Sequence, residues 1–147
     1  SYRQIGYAKH QLTKEQFRDN TVDAAEIAAQ EAGNALYTVE VNPVGEGPLA
    51  TVRCRYKVPG TTDYREMSWD VPFTGNAPSL DQSSAAMRLA TTASAFSEWL
   101  AVNPFSSEIT PDALLNTVRG VPEAFGADPR PKKLEWMIRT AKSLEGK

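Results

Sequence analysis

The longest run of regularly spaced apolar residues spans residues 80–103 and predicts a helix at the centre of the core. Ser79 and Gln82 have the spacing of a capping box at its start. Asn103 precedes a proline, which disfavours helical backbone and predicts the end of the helix. The apolar positions recur every three or four residues and therefore share one helix face: Ala85, Leu89, Ala93, Phe96 and Leu100.

Earlier in the chain, apolar and polar residues alternate with a period of two, which indicates strands. We expect a short strand at residues 2–8, a second at 34–42, and a hairpin formed by 49–58 and 65–73. In the hairpin, one set of side chains faces the same way and is predicted to enter the core: Val52, Cys54, Tyr56, Val58, Met67, Trp69, Val71 and Phe73.

Two further helices are predicted after the long one, each opened by a cap and a proline. The first begins at Thr110–Pro111 and stops at Gly120, and the second begins at Asp128–Pro129. Because the strands come first and the helices follow, the predicted fold is α+β. We expect an antiparallel β-sheet of about four strands followed by three helices packed on one face.

The chain of 147 residues is long enough to form one domain with its own core. We expect a β-rich half over about residues 1–78 and a helical half over about 79–147. The net charge of -2 argues against a nucleic-acid-binding protein. No apolar run reaches the ~20 residues of a membrane span. The abrupt start, without an initiator Met, is interpreted as that of a piece of a longer protein.

The acidic segment at residues 19–26 is the clearest candidate for chemistry. Asp19, Asp23 and Glu26 supply the oxygen ligands that a hard cation such as calcium prefers, although their spacing fits no EF-hand loop. The same carboxylates could act in acid/base hydrolysis. A simpler interpretation is a solvated loop whose side chains cap the local backbone. No catalytic residue and no cofactor site is predicted, and Cys54, as the only cysteine, cannot form a disulfide within the chain.

Several short stretches resemble a known bacterial domain. They are residues 2–7 (YRQIGY), Phe17, residues 23–27 (DAAEI), residues 35–37 (ALY), residues 55–57 (RYK) and Pro59. The chain resembles the uncharacterised C-terminal domain that follows a von Willebrand factor type A (vWA) domain in bacterial surface or periplasmic proteins. The resemblance implies a periplasmic or cell-surface location, a lipid anchor upstream of this chain, and a metal site on the vWA domain.

The function that the resemblance implies is that of a non-enzymatic accessory domain. It would pack beside the vWA domain of the same protein and support protein-protein interaction, with other envelope proteins as further partners. The resemblance also implies a structural polar cluster of Tyr2, Arg3, Asp23 and Glu26. The alternative is a calcium-binding or small hydrolytic module that uses Asp19, Asp23 and Glu26.

Overall fold

A computed structural model describes residues 1–6, 12–13, 15–22, 26–42, 44–73, 75, 78–102 and 106–145. The strands are β1 (Tyr2–Ile5), β2 (Leu36–Val39), β3 (Ala50–Lys57) and β4 (Tyr64–Val71). The helices are α1 (Ala85–Leu100), α2 (Pro111–Val118), the short α3 (Val121–Ala124) and α4 (Pro129–Glu145). Strands precede helices, so the predicted α+β class is confirmed.

The chain divides into two compact units. The first comprises residues 1–3, 7–33 and 37–77, and the second comprises residues 4–6, 34–36 and 78–147. The predictions that the whole chain is one domain, and that the helices cover one face of a sheet, stay predictions.

The described strands form two antiparallel sheets of two strands each, β1 with β2 and β3 with β4. Ser1 and Glu40 exchange both backbone hydrogen bonds at the end of the first sheet, at 3.1 and 2.9 Å, as an antiparallel pair does. The expectation of one four-stranded sheet is therefore corrected. Ten residues containing two prolines and two glycines separate β2 from β3, and such a link lacks the tight turn that pairs consecutive strands.

The second unit is built around a small apolar core contributed by three helices. Phe96 of α1, Leu114 of α2, and Leu134 and Ile138 of α4 are buried together. The ring of Trp99 stacks on Phe96 with 5.9 Å between the ring centroids. The apolar stripes of the three helices thus meet in one place, as amphipathic helices of a small domain must.

Helix α1 begins at Ala85, later than the sequence predicts, and its buried face differs from the predicted one. Residues 80–82 form a separate 3-10 turn, and Ser84 is the N-cap, with its hydroxyl accepting from Met87 N at 3.2 Å. The buried face is centred on Thr92 and Phe96, whereas Leu100 is 57% exposed. Several serines here can accept an amide hydrogen bond, so the capping pattern did not identify which one starts the helix.

Helices α2 and α4 begin where their caps predict. Thr110 Oγ1 accepts from Ala113 N at 3.2 Å, and Pro111 is the first residue of α2. At the other end of α2, the Arg88 guanidinium of α1 donates to the carbonyls of Thr117, at 2.8 Å, and Arg119. The helix dipole leaves partial negative charge on these carbonyls, so a cation at this position stabilises the helix end.

Replacement of Ile138 by alanine should destabilise the helical unit strongly. Ile138 is fully buried in the α1–α2–α4 core, and the change leaves a cavity, for which we expect a loss of about 3 kcal/mol in the free energy of unfolding. Urea unfolding followed by circular dichroism measures this value. Leu144→Ala, in the same helix but 61% exposed, is the control and should cost less than about 1 kcal/mol. Equal losses in the two variants would contradict the assigned core.

The start of α4 should make stability depend on pH in acid. The guanidinium and the backbone amide of Arg130 donate to the Asp128 carboxylate and lower its pKa from 3.8 to about 2. Because the folded-state pKa is the lower one, this stabilisation is complete above about pH 4 and is lost as the pH falls through 2. Asp128→Asn keeps an acceptor oxygen and removes the titration.

The measurement is the difference in melting temperature between the wild type and Asp128→Asn from pH 5 to pH 2. Taking the difference cancels the effects of Asp19, Glu66 and Asp81, whose pKa values are also lowered by hydrogen bonds. We expect the advantage of the wild type to shrink towards pH 2. A constant difference across this range would contradict the assigned ion pair.

Candidate functional site

The register of β3 against β4 sorts the hairpin side chains onto two faces. Val52 lies opposite Trp69, and Cys54 lies opposite Met67. Opposite residues share a face, and neighbours along a strand alternate between faces. Arg65, opposite Tyr56, is the one charged residue on the first of these faces. We name the other residues of that face the apolar hairpin face, which consists of Ala50, Val52, Cys54, Tyr56, Met67, Trp69 and Val71.

The other face of the hairpin is polar and is tied together by cross-strand contacts. Thr51 Oγ1 donates to Asp70 Oδ1 at 2.7 Å. The Arg55 guanidinium lies 4.4 Å from the centre of the Tyr64 ring, a cation–π contact between diagonal neighbours. These contacts help to hold the register that separates the two faces.

A segment from earlier in the chain also packs on this polar face. Arg18 donates to the Glu66 carboxylate at 3.1 Å, and this hydrogen bond is the main cause that lowers the pKa of Glu66. Arg55 donates to Asn20 Oδ1 at 2.5 Å and to the carbonyl of Phe17 at 3.4 Å. The hairpin is therefore covered in part on its polar side.

The apolar hairpin face, by contrast, is open to solvent. Val52 is 51% exposed, Met67 is 45% exposed and Trp69 is 48% exposed. Within the first unit these side chains do not enter a core, whereas the prediction that they share one face is confirmed by the register. Alternation along a strand reveals which side chains lie together, but it contains no information about what packs on them.

A groove of about 760 Å³ in the first unit continues this apolar surface. Tyr2 and Tyr37 stand at its wall with their rings edge to face, 6.2 Å between centroids. The apolar residues that line it come from both sheets, from the link between them and from the segment after β4: Tyr2, Tyr37, Val39, Val41, Leu49, Val52, Val71 and Phe73. Because side chains alternate along a strand, Tyr37 and Val39 lie on the same side of β2.

Of the acidic segment, the structure describes only part. Asp19 Oδ1 accepts from Thr21 N at 2.9 Å and from Thr21 Oγ1 at 2.7 Å, and these bonds lower the pKa of Asp19. Its carboxylate thus caps the local backbone, as the simpler interpretation expects. Asp23 lies outside the described residues, and Glu26 is exposed. Among the residues that are described, no three His, Cys, Asp or Glu side chains are grouped to hold a metal ion.

The expected polar cluster of Tyr2, Arg3, Asp23 and Glu26 stays a prediction because Asp23 lies outside the described part of the chain. Tyr2 is 78% exposed and contacts Tyr37. The carbonyl of Arg3 accepts from Thr38 Oγ1 at 3.4 Å, across the β1–β2 pair. Both contacts join β1 to β2.

A second cavity, of about 360 Å³, lies in the helical unit between α2, α3 and α4. Its charged side chains are largely paired with one another. Lys142 donates to Asp112 at 2.5 Å, and Arg139 donates to Glu135 at 2.6 Å. Cations and carboxylates that neutralise each other offer little net charge to a ligand, so the first unit holds the stronger candidate site.

Comparison with known proteins identifies a family but assigns no activity. The chain matches the family model described as "Uncharacterized protein YfbK, C-terminal" over residues 1–144, and it belongs to this family. The resemblance to an uncharacterised C-terminal domain is confirmed to that extent. No curated protein and no solved structure matches the chain. In the described ranges, no helix combines the length and the apolar character that crossing a membrane requires.

The reactivity of the Cys54 thiol tests whether the apolar hairpin face is exposed in solution. Cys54 is exposed, so a maleimide reagent should modify it in the native chain at a rate within about tenfold of the rate in urea. As the only cysteine, it needs no engineered background. Modification that occurs only after unfolding would show that the apolar hairpin face is covered in solution.

Proposed function

We propose that the chain is a non-enzymatic accessory domain that binds another protein domain through the apolar hairpin face. The bound domain, in this proposal, is the vWA domain of the same bacterial envelope protein, and other envelope proteins are further partners. The protein would act in the periplasm or at the cell surface. The observation that supports this most strongly is the exposure of Val52, Met67 and Trp69 on one side of a two-stranded sheet.

An open apolar sheet face has two physical consequences that favour a partner. A two-stranded hairpin is marginally stable by itself and gains stability when another element packs on it. Contiguous exposed apolar surface on a small domain commonly marks a protein interaction site. Trp, Tyr and Met are also the residue types enriched in the buried centres of interfaces, and Trp69, Tyr56 and Met67 supply all three.

The family description supports the choice of partner. The family is named for the C-terminal part of a longer protein, so a domain that precedes it in the same polypeptide is present at high effective concentration. A partner held in this way needs only modest intrinsic affinity for the apolar hairpin face. The vWA domain fits this position because the sequence resembles domains that follow one.

The proposal is tested by calorimetric titration of this chain with the vWA domain of its own protein. Trp69→Ala should weaken binding at least tenfold, because a central aromatic side chain in an interface commonly contributes more than 1 kcal/mol. Trp136→Ala is the matched control: it removes another exposed tryptophan, 62% accessible and located on α4, and should leave the affinity unchanged.

Val52→Thr is a second variant, chosen to weaken binding without unfolding the hairpin. Threonine keeps the β-branched shape that strands favour and introduces a hydroxyl into the apolar contact. We expect it to weaken binding while the far-ultraviolet spectrum stays that of the wild type. Absence of binding by the wild type, or equal affinity of Trp69→Ala and Trp136→Ala, would overturn the proposal.

A further inference from the structure

The outer edge of β3, which is the edge that does not pair with β4, adjoins the apolar hairpin face. Val58 N donates to the Asp63 carbonyl at 2.8 Å, so residues 58 and 63 form a hydrogen-bonded pair of the ladder. Such pairs alternate along an antiparallel ladder, so the backbone groups of Thr51, Arg53, Arg55 and Lys57 point away from β4. In the described sheets β3 pairs with β4 only, and its outer edge is available to another strand.

The charged side chains near the outer edge of β3 indicate which kind of strand could bind there. The side chains of Arg53, Arg55 and Lys57 all lie on the polar face of the hairpin. Arg55 is engaged by Asn20 and Phe17, but among the described residues no carboxylate lies within ion-pair distance of Arg53 or Lys57. An added strand would place its own side chains next to these two cations.

A second copy of this chain is a poor occupant. If two β3 edges paired around a twofold axis, the outward-pointing residues of one copy would lie opposite those of the other. With the axis at Arg55, Arg53 would face Lys57 and Arg55 would face Arg55; with the axis at Arg53, Arg53 would face Arg53. Like charges directly opposite one another destabilise a strand pair.

We infer that the β3 edge binds an extended strand from a partner protein, in which apolar and acidic residues alternate. The acidic residues would lie beside Arg53 and Lys57, and the apolar residues would extend the apolar hairpin face beside Val52 and Cys54. This inference rests on the proposed function and specifies the chemistry of the partner.

The bound strand should alternate apolar and acidic residues rather than be acidic at every position. The groove that borders Ala50 to Arg53 is also lined by Glu40 and Glu46, which would repel a strand that is acidic at every position. Its apolar walls, including Val39 and Phe73, favour apolar side chains on one side of the added strand. A strand with a period-two pattern satisfies both conditions at once.

The test uses synthetic peptides of eight residues, the length of β3. One peptide alternates valine with glutamate, a second alternates valine with lysine, and a third has the composition of the first with its valines and glutamates in separate blocks. Fluorescence anisotropy of labelled peptides measures binding to the wild-type chain and to a variant carrying Arg53→Glu and Lys57→Glu. We expect the valine–glutamate peptide to bind the wild type at least tenfold tighter than the other two.

In the charge-reversed variant the preference between the glutamate and lysine peptides should reverse, which a misfolded variant would not produce. Methylation of the backbone nitrogens on one edge of the valine–glutamate peptide should abolish binding, whereas methylation on the other edge should not. Binding that ignores charge, or no peptide binding, would overturn the strand inference. If the vWA domain still binds through Trp69 in that case, the proposed function stands; if it does not, both fail.

Discussion

The antiparallel register of β3 against β4 is the constraint on which the account of this protein depends. It places Val52 opposite Trp69 and Cys54 opposite Met67, and it leaves the basic side chains of β3 on the other face. A slip of one residue would exchange the faces of one strand and divide the apolar hairpin face between both sides of the sheet. The contacts between Thr51 and Asp70 and between Arg55 and Tyr64 favour the observed register.

Local signals in the sequence predicted the elements that depend on local interactions. The starts of α2 and α4 follow from a cap followed by proline, because each satisfies free amides at a helix start within a few residues. Thr13 and Gln16, which have the spacing of a capping box, form one with reciprocal hydrogen bonds of 2.9 and 3.3 Å. Helix α3, of four residues, was missed because one turn is too short to show a period.

What the sequence did not predict depends on contacts between distant residues. Alternation correctly grouped the side chains of the apolar hairpin face, but their burial depends on a covering element that no local pattern encodes. The pairing of β2 with β1, rather than with β3, likewise depends on the path of the intervening link. For the acidic segment, the sequence offered three interpretations, and Asp19 adopts the one in which its carboxylate caps the backbone through Thr21.

Hydrogen exchange at the amides of β3 tests the central claim most directly. The exchange rates would be compared in this chain alone and in a polypeptide that joins it to the vWA domain. The account predicts that the amides of Thr51, Arg53 and Lys57, which point away from β4, exchange quickly in the chain alone and are protected in the joined polypeptide. Equal exchange in both, with Trp69 equally accessible to a quencher, would contradict the claim that this surface binds the partner.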